Sequence, residues 1–150
     1  LTVASNSIRT SASRTAVFGV LSDGWKYSNW VVGTSHMRAV EDAWPAVGSK
    51  LYHASGAWPL VTRDETEVAA VEADRKLALI ARGGPFGAAD IVIELEDDGG
   101  GCRVTMRETP TAGPGRWLHN PITEALLTRR NTEALARLAT VAEQRTTPAD

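Results

Sequence analysis

The stretch Asn120–Gln144, NPITEALLTRRNTEALARLATVAEQ, decides the fold. Asn120 suits a helix N-cap, and Pro121 suits the first helical position, where its missing amide proton costs nothing. A helix running from there to about Gln144 is roughly 36 Å long at 1.5 Å per residue. On a helical wheel Leu127, Ala134, Leu138, Val141 and Ala142 share one apolar stripe. Arg129, Glu133, Arg137 and Glu143 fall away from it, and Arg129–Glu133 and Glu133–Arg137 have the spacing of helical ion pairs. Two residues break the pattern: Asn131 lies within the stripe and Arg130 at its edge. Burying either without a partner is costly, so something polar must face them: a side chain, water or a ligand.

Upstream of this helix the signals are mostly those of strands. Thr2–Arg9 alternates moderately. Ser11 or Ser13 then caps a short helix carrying Ala16, Val17, Val20 and Leu21 on one face, ended by Asp23-Gly24. A second short helix is expected over Trp25–Trp30. Strands follow at Gly33–Asp42, Lys50–Ala57, Leu60–Val71, Lys76–Arg82, Ala88–Glu96 and Cys102–Thr109, separated by turn sequences such as Trp44–Gly48, Gly83-Gly84-Pro85 and Asp97–Gly101. No helix intervenes between these strands, which argues for an antiparallel meander rather than parallel βαβ units. Thr111–Asn120 reads as a loop, and its Gly113–Trp117 part is placed as a lid over whatever lies beneath.

The chain has 150 residues, a length that suits one domain, 1–150, with a core large enough to need no disulfide or metal. Its formal net charge of −2 gives no field that would draw it to nucleic acid or anionic lipid. Cys102 is the sole cysteine, so no internal disulfide forms, in keeping with a cytoplasmic location. Leu1–Thr15 does not read as a signal peptide, and no apolar run is long enough for membrane insertion. Trp25, Trp30, Trp44, Trp58 and Trp117 together outnumber Phe and Tyr, and indoles serve equally as core and as ligand wall.

The element order, with the words Leu21-Ser22-Asp23-Gly24-Trp25, Trp30-Val31-Val32-Gly33, Trp44-Pro45-Ala46-Val47-Gly48, Trp58-Pro59-Leu60, Asp64-Glu65-Thr66-Glu67-Val68 and Arg129-Arg130-Asn131-Thr132-Glu133, resembles the polyketide cyclase/dehydrase branch of the SRPBCC (START-like) superfamily. That resemblance covers nearly the whole chain. It implies an α+β helix-grip fold: a curved antiparallel sheet of about seven strands, two short helices and the long C-terminal helix. It also implies a cavity between sheet and helix for a hydrophobic small molecule such as a lipid, polyketide or aromatic compound.

Strand parity and helix phase select the residues that would face such a cavity. His53, Asp64, Glu108, Arg130 and Asn131 supply polar groups, and Trp30, Trp58, Met106, Trp117 and Leu127 supply apolar wall. Two carboxylates, an imidazole and a guanidinium suit the proton transfers of aldol cyclisation and dehydration, which makes Asp64, Glu108, His53 and Arg130 the catalytic candidates. The same residue types equally build an internal ion-pair network that seats the helix on the sheet. Three functions stay open: a binder or carrier of a hydrophobic molecule, a cyclase/dehydratase-type enzyme, and a protein-interaction module with an apolar patch around Trp25 and Tyr27. No metal or other cofactor is expected. His36, His53 and His119 lack ligand spacing, no GxSxG or phosphate-loop pattern occurs, and Cys102 reads as packing. The chain is expected to be a monomer or homodimer.

Overall fold

The computed structural model describes residues 4–57, 60–84, 87–113 and 121–146. Seven strands form one antiparallel sheet: β1 (Ala4–Thr10), β2 (Thr34–Val40), β3 (Lys50–Ala57), β4 (Leu60–Glu72), β5 (Lys76–Arg82), β6 (Ala88–Asp98) and β7 (Gly101–Ala112). Two short helices, α1 (Arg14–Ser22) and α2 (Tyr27–Trp30), separate β1 from β2, and the long helix α3 (Pro121–Thr146) follows β7. The strand order is β1-β7-β6-β5-β4-β3-β2, a meander with its first strand folded back beside its last. This is the α+β, helix-grip-like architecture expected from the sequence.

Local chemistry sets the boundaries. Ser13, not Ser11, caps α1, its hydroxyl accepting from the Ala16 amide at 3.1 Å. The stretch expected as one second helix splits into a single 3-10 turn, Gly24–Lys26, followed by α2. The Trp44 indole then donates to the Leu21 carbonyl at 3.1 Å, tying the β2–β3 turn to the end of α1. β7 runs on through Thr111 and Ala112, two residues read from sequence as loop. The expected cap Asn120 lies outside the described residues.

The inward face of the sheet changes character along its length. Leu77, Ile93 and Met106 stand in register across β5, β6 and β7, as do Leu95 and Val104 in the last two. These rows are buried with Val17, Val20 and Leu21 of α1 and with Leu135, Leu138 and Ala142 of α3. Further along, the inward positions carry Ser55, Thr62, Ala81, Ala89 and Pro110 instead, side chains too short to fill the space before them. One end of the sheet is therefore packed solid and the other is not.

Helix α3 divides at the same place. From Asn131 onward it is buried at Asn131, Ala134, Leu135, Leu138, Ala139 and Ala142, against β1, α1 and α2. Leu135 and Ala139 thus join the apolar face, beyond the residues that the wheel selected. Before Asn131 its described side chains are mostly exposed, Ile122 and Leu126 among them, and Leu127 is half-buried. Arg137 pairs with Glu133 at 3.1 Å as the spacing predicts. Glu143, expected on the solvent side, instead accepts from the Thr10 hydroxyl at 2.7 Å and is half-buried against β1. Among the described residues no helix is long and apolar enough to cross a membrane.

Candidate functional site

The unfilled end of the sheet opens into a pocket of about 630 Å³ under the first turns of α3. Its wall follows the two-residue repeat of strands. His53 and Ser55 come from β3, Thr62 and Asp64 from β4, Leu79 and Ala81 from β5, Ala89 and Ile91 from β6, and Met106, Glu108 and Pro110 from β7. Tyr27 and Trp30 of α2 close one side, and Leu127, Arg130, Asn131 and Ala134 of α3 form the roof. Gly87 sits at the rim, where a Cβ would meet the Ala112 carbonyl oxygen at 2.0 Å, and its φ of +109° lies where glycine is at ease. Only glycine lets the β5–β6 turn press this closely on the end of β7.

Eight of the ten residues selected from sequence for this wall line the pocket: Trp30, His53, Asp64, Met106, Glu108, Leu127, Arg130 and Asn131. The other two, Trp58 and Trp117, lie outside the described residues, as does most of the loop placed as a lid. Parity survives because no register shift falls within the stretches of β3, β4 and β7 that bear His53, Asp64 and Glu108: the shifts lie on β2 between Thr34 and His36 and between Met37 and Ala39, between Val68 and Ala70 in β4, and between Ala88 and Ala89 where β6 meets the end of β7.

Two polar groups of residues form in the wall. In the first, Thr66 Oγ1 lies 3.2 Å from His53 Nε2 and 3.3 Å from the Tyr27 hydroxyl, while Ser55 Oγ lies 3.4 Å from His53 Nδ1. The Tyr27 and His53 rings pack with centroids 5.0 Å apart. Asp64 is the register partner of His53 on the next strand. Burial pushes His53 below the usual imidazole range. Asp64 opposes that shift and Arg38 adds to it. Burial likewise pushes the Tyr27 phenol up to about 12, with the Thr66 hydrogen bond acting against it. At neutral pH this group therefore offers an uncharged imidazole and an uncharged phenol beside the Asp64 side chain.

In the second, Arg130 Nη2 donates to both Glu108 oxygens, at 2.7 and 2.5 Å, and Arg130 Nε and Nη2 each lie 3.4 Å from Asn131 Oδ1. The pair joins α3 to β7 across the roof. Arg82, also on the wall, is held outward by Glu65 and Glu67 at 3.5 and 3.1 Å.

Sequence reasoning missed Tyr27 and Thr66 as partners of His53. It placed Tyr27 with Trp25 in an exposed patch. The structure leaves Trp25 exposed but buries Tyr27 at 4 % exposure. Thr66 shares the parity of Asp64, which was the available signal. Cys102 is fully buried, and burial raises its thiol pKa. Among the described residues no three His, Cys, Asp or Glu side chains gather as metal ligands would.

An antiparallel sheet wrapped on a long terminal helix, with a pocket between them, defines the helix-grip class of α+β proteins. Residues 2–143 match the family model described as polyketide cyclase / dehydrase and lipid transport, and the chain belongs to that family. No curated protein matches the sequence. Among solved structures it is similar to Ara h 8.0201, with a TM-score of 0.74 at 7% identity, covering 95% of this chain and 98% of that one. It is similar to protein NE0264 from Nitrosomonas europaea, with a TM-score of 0.74 at 16% identity and 95% of each chain covered. It is also similar to the di-domain ARO/CYC StfQ from the steffimycin biosynthetic pathway, with a TM-score of 0.72 at 11% identity. That match covers 95% of this chain and 51% of the StfQ chain, so the present sequence spans about half of that protein. At these identities the likeness is one of fold.

Proposed function

We propose that the protein binds or carries a hydrophobic small molecule in the pocket beneath α3. The observation that carries this reading is the pocket itself: about 630 Å³, walled mainly by apolar and small side chains, with its polar groups confined to a few positions. Sites for organic ligands occupy roughly 300–1,000 Å³ and have this composition. In this reading Trp30, Met106 and Leu127 contact the apolar body of the guest, while Asp64, Glu108, Arg130, Asn131 and His53 orient it. Lipids, polyketides and aromatic compounds all meet these terms, and membership of a family described as cyclases, dehydrases and lipid transporters accords with each. Native mass spectrometry of freshly purified protein tests the proposal. A bound organic mass that Trp30→Ala or Met106→Ala weakens is the expected result. Failure of any apolar aromatic or lipid probe to bind overturns it.

A second reading, a cyclase/dehydratase, is favoured by one specific observation. Asp64 lies beside an imidazole whose pKa is lowered, and two groups able to take and return a proton in a sheltered pocket are what aldol condensation and loss of water require. Asp64 or His53 would take a proton from a carbon next to a carbonyl and, once protonated, return it to the departing hydroxyl, which leaves as water. The two readings part on Asp64→Asn. A carrier keeps its affinity, whereas an enzyme keeps its ligand but loses turnover.

A further inference from the structure

A row of four hydrogen-bonding side chains along one wall of the pocket says more about the guest, on the reading that the pocket holds one. The Tyr27 hydroxyl lies 3.3 Å from Thr66 Oγ1, Thr66 Oγ1 lies 3.2 Å from His53 Nε2, and His53 Nδ1 lies 3.4 Å from Ser55 Oγ. Among the described residues these side-chain atoms have no other hydrogen-bond partner. Tyr27, Thr66 and His53 are buried, whereas Ser55 is half-buried and lines the pocket. The row thus has a closed end at Tyr27 and an open end at Ser55.

Burial keeps the phenol protonated and disfavours a charged imidazole, so at neutral pH each of the four groups has one side-chain hydrogen to donate. Four hydrogens meet three contacts, and one hydrogen is left over. It cannot be that of His53. Both ring nitrogens would then have to accept, and a neutral imidazole has an accepting lone pair on only one. The spare hydrogen therefore belongs to Tyr27, Thr66 or Ser55. On Tyr27 or Thr66 it would be sealed into the wall with no acceptor, which forfeits its bond to water for nothing. On Ser55 it is free to point into the pocket. The row accordingly runs one way: Tyr27 donates to Thr66, Thr66 donates to His53 Nε2, and His53 Nδ1–H donates to Ser55. Partners of this kind decide which imidazole nitrogen holds the proton. Here it is Nδ1, the tautomer that free histidine disfavours.

We propose that Ser55 offers its hydroxyl hydrogen to the guest, and that the guest is an apolar molecule bearing a carbonyl oxygen to accept it. The Nε2 lone pair is engaged by Thr66, so His53 acts on the guest through Ser55 and not as a base.

Two measurements on the full chain test this. Long-range proton–nitrogen NMR at pH 8, with the signals assigned by their loss in His53→Asn, shows which ring nitrogen carries the hydrogen. A protonated Nδ1 in the ligand-free protein is expected, since both other arrangements of the row put the proton on Nε2. Equilibrium dialysis against 2-acetylnaphthalene and 2-isopropylnaphthalene, which differ in the carbonyl, then reads the donor. The ketone should bind about tenfold tighter, the worth of one well-placed hydrogen bond in a sheltered pocket. Ser55→Ala should bring the two probes to equal affinity. Should that variant fail to fold, the tautomer and the preference of the unmodified protein decide alone. A proton on Nε2, equal affinities in the unmodified protein, or a ketone preference that survives Ser55→Ala overturns this inference and leaves the pocket reading standing. Binding of neither probe overturns both.

Discussion

A single nitrogen of Arg130, Nη2, holds both carboxylate oxygens of Glu108, at 2.7 and 2.5 Å, and so pins α3 to β7 at the roof of the pocket. The two ends of this bridge differ in setting. The Glu108 side chain is 7% exposed, and that of Arg130 is 45% exposed. An exposed pair adds little to stability, but a carboxylate stranded in the interior is expensive. Arg130→Met should therefore destabilise the protein by about 1–3 kcal/mol in urea unfolding, and Glu108→Leu in the same chain should restore most of the loss. If the single variant is neutral, Glu108 has found water and the bridge is ornamental.

His53 makes stability depend on pH. Its folded pKa lies below the ordinary 6.5, so the unfolded chain binds the proton more readily. The stability it contributes is complete above that value and drains away as pH falls below 6.5 toward the folded pKa. Chemical denaturation at pH 7.5 and 5.5 should show the parent losing more stability than His53→Asn over this interval. Proton NMR of the imidazole should give a midpoint below that of a free histidine.

Gly87→Ala should be among the most damaging single-methyl changes. The new Cβ meets backbone, the Ala112 carbonyl oxygen, and the φ of +109° is unfavourable for any L side chain. A loss of about 1–3 kcal/mol is expected, seen as a lower Tm. Gly84→Ala, also at positive φ but with nothing within 4 Å of the added carbon, isolates the cost of conformation from that of collision.

The two halves of α3 should respond differently to truncation. Leu138 is fully buried, and Leu138→Ala should cost about 2–5 kcal/mol. Leu126 is exposed, and Leu126→Ala should change stability by less than about 0.5 kcal/mol. Comparable losses at both positions would mean that the first turns of the helix carry the fold after all.

Much of this architecture is legible in the sequence, because strand alternation and helix phase are short-range signals. His53, Asp64 and Glu108 could be assigned to the inner face since the bulges spare the parts of the strands that bear them. Arg130 and Asn131 stood out because they interrupt an apolar stripe. What escaped is long-range or lies on elements too short to have a period. Tyr27 sits on a one-turn helix whose phase nothing local determines, so its turn toward Thr66 could not be read. The bond between Thr10 and Glu143 joins positions 133 residues apart, which no local pattern encodes. Leu135 and Ala139 broaden the buried face of α3 because that helix packs against several elements, chiefly β1, α1 and α2, and a single stripe was too narrow a template.

The division of α3 at Asn131 has an evolutionary consequence. Its latter half serves as foundation and its earlier half as doorframe, and few demands are common to both. Apart from Arg130, the first turns are thus under little structural demand and can change while the building stays upright. A lineage could rewrite those turns, Arg130 excepted, without renegotiating the residues that keep the open sheet together.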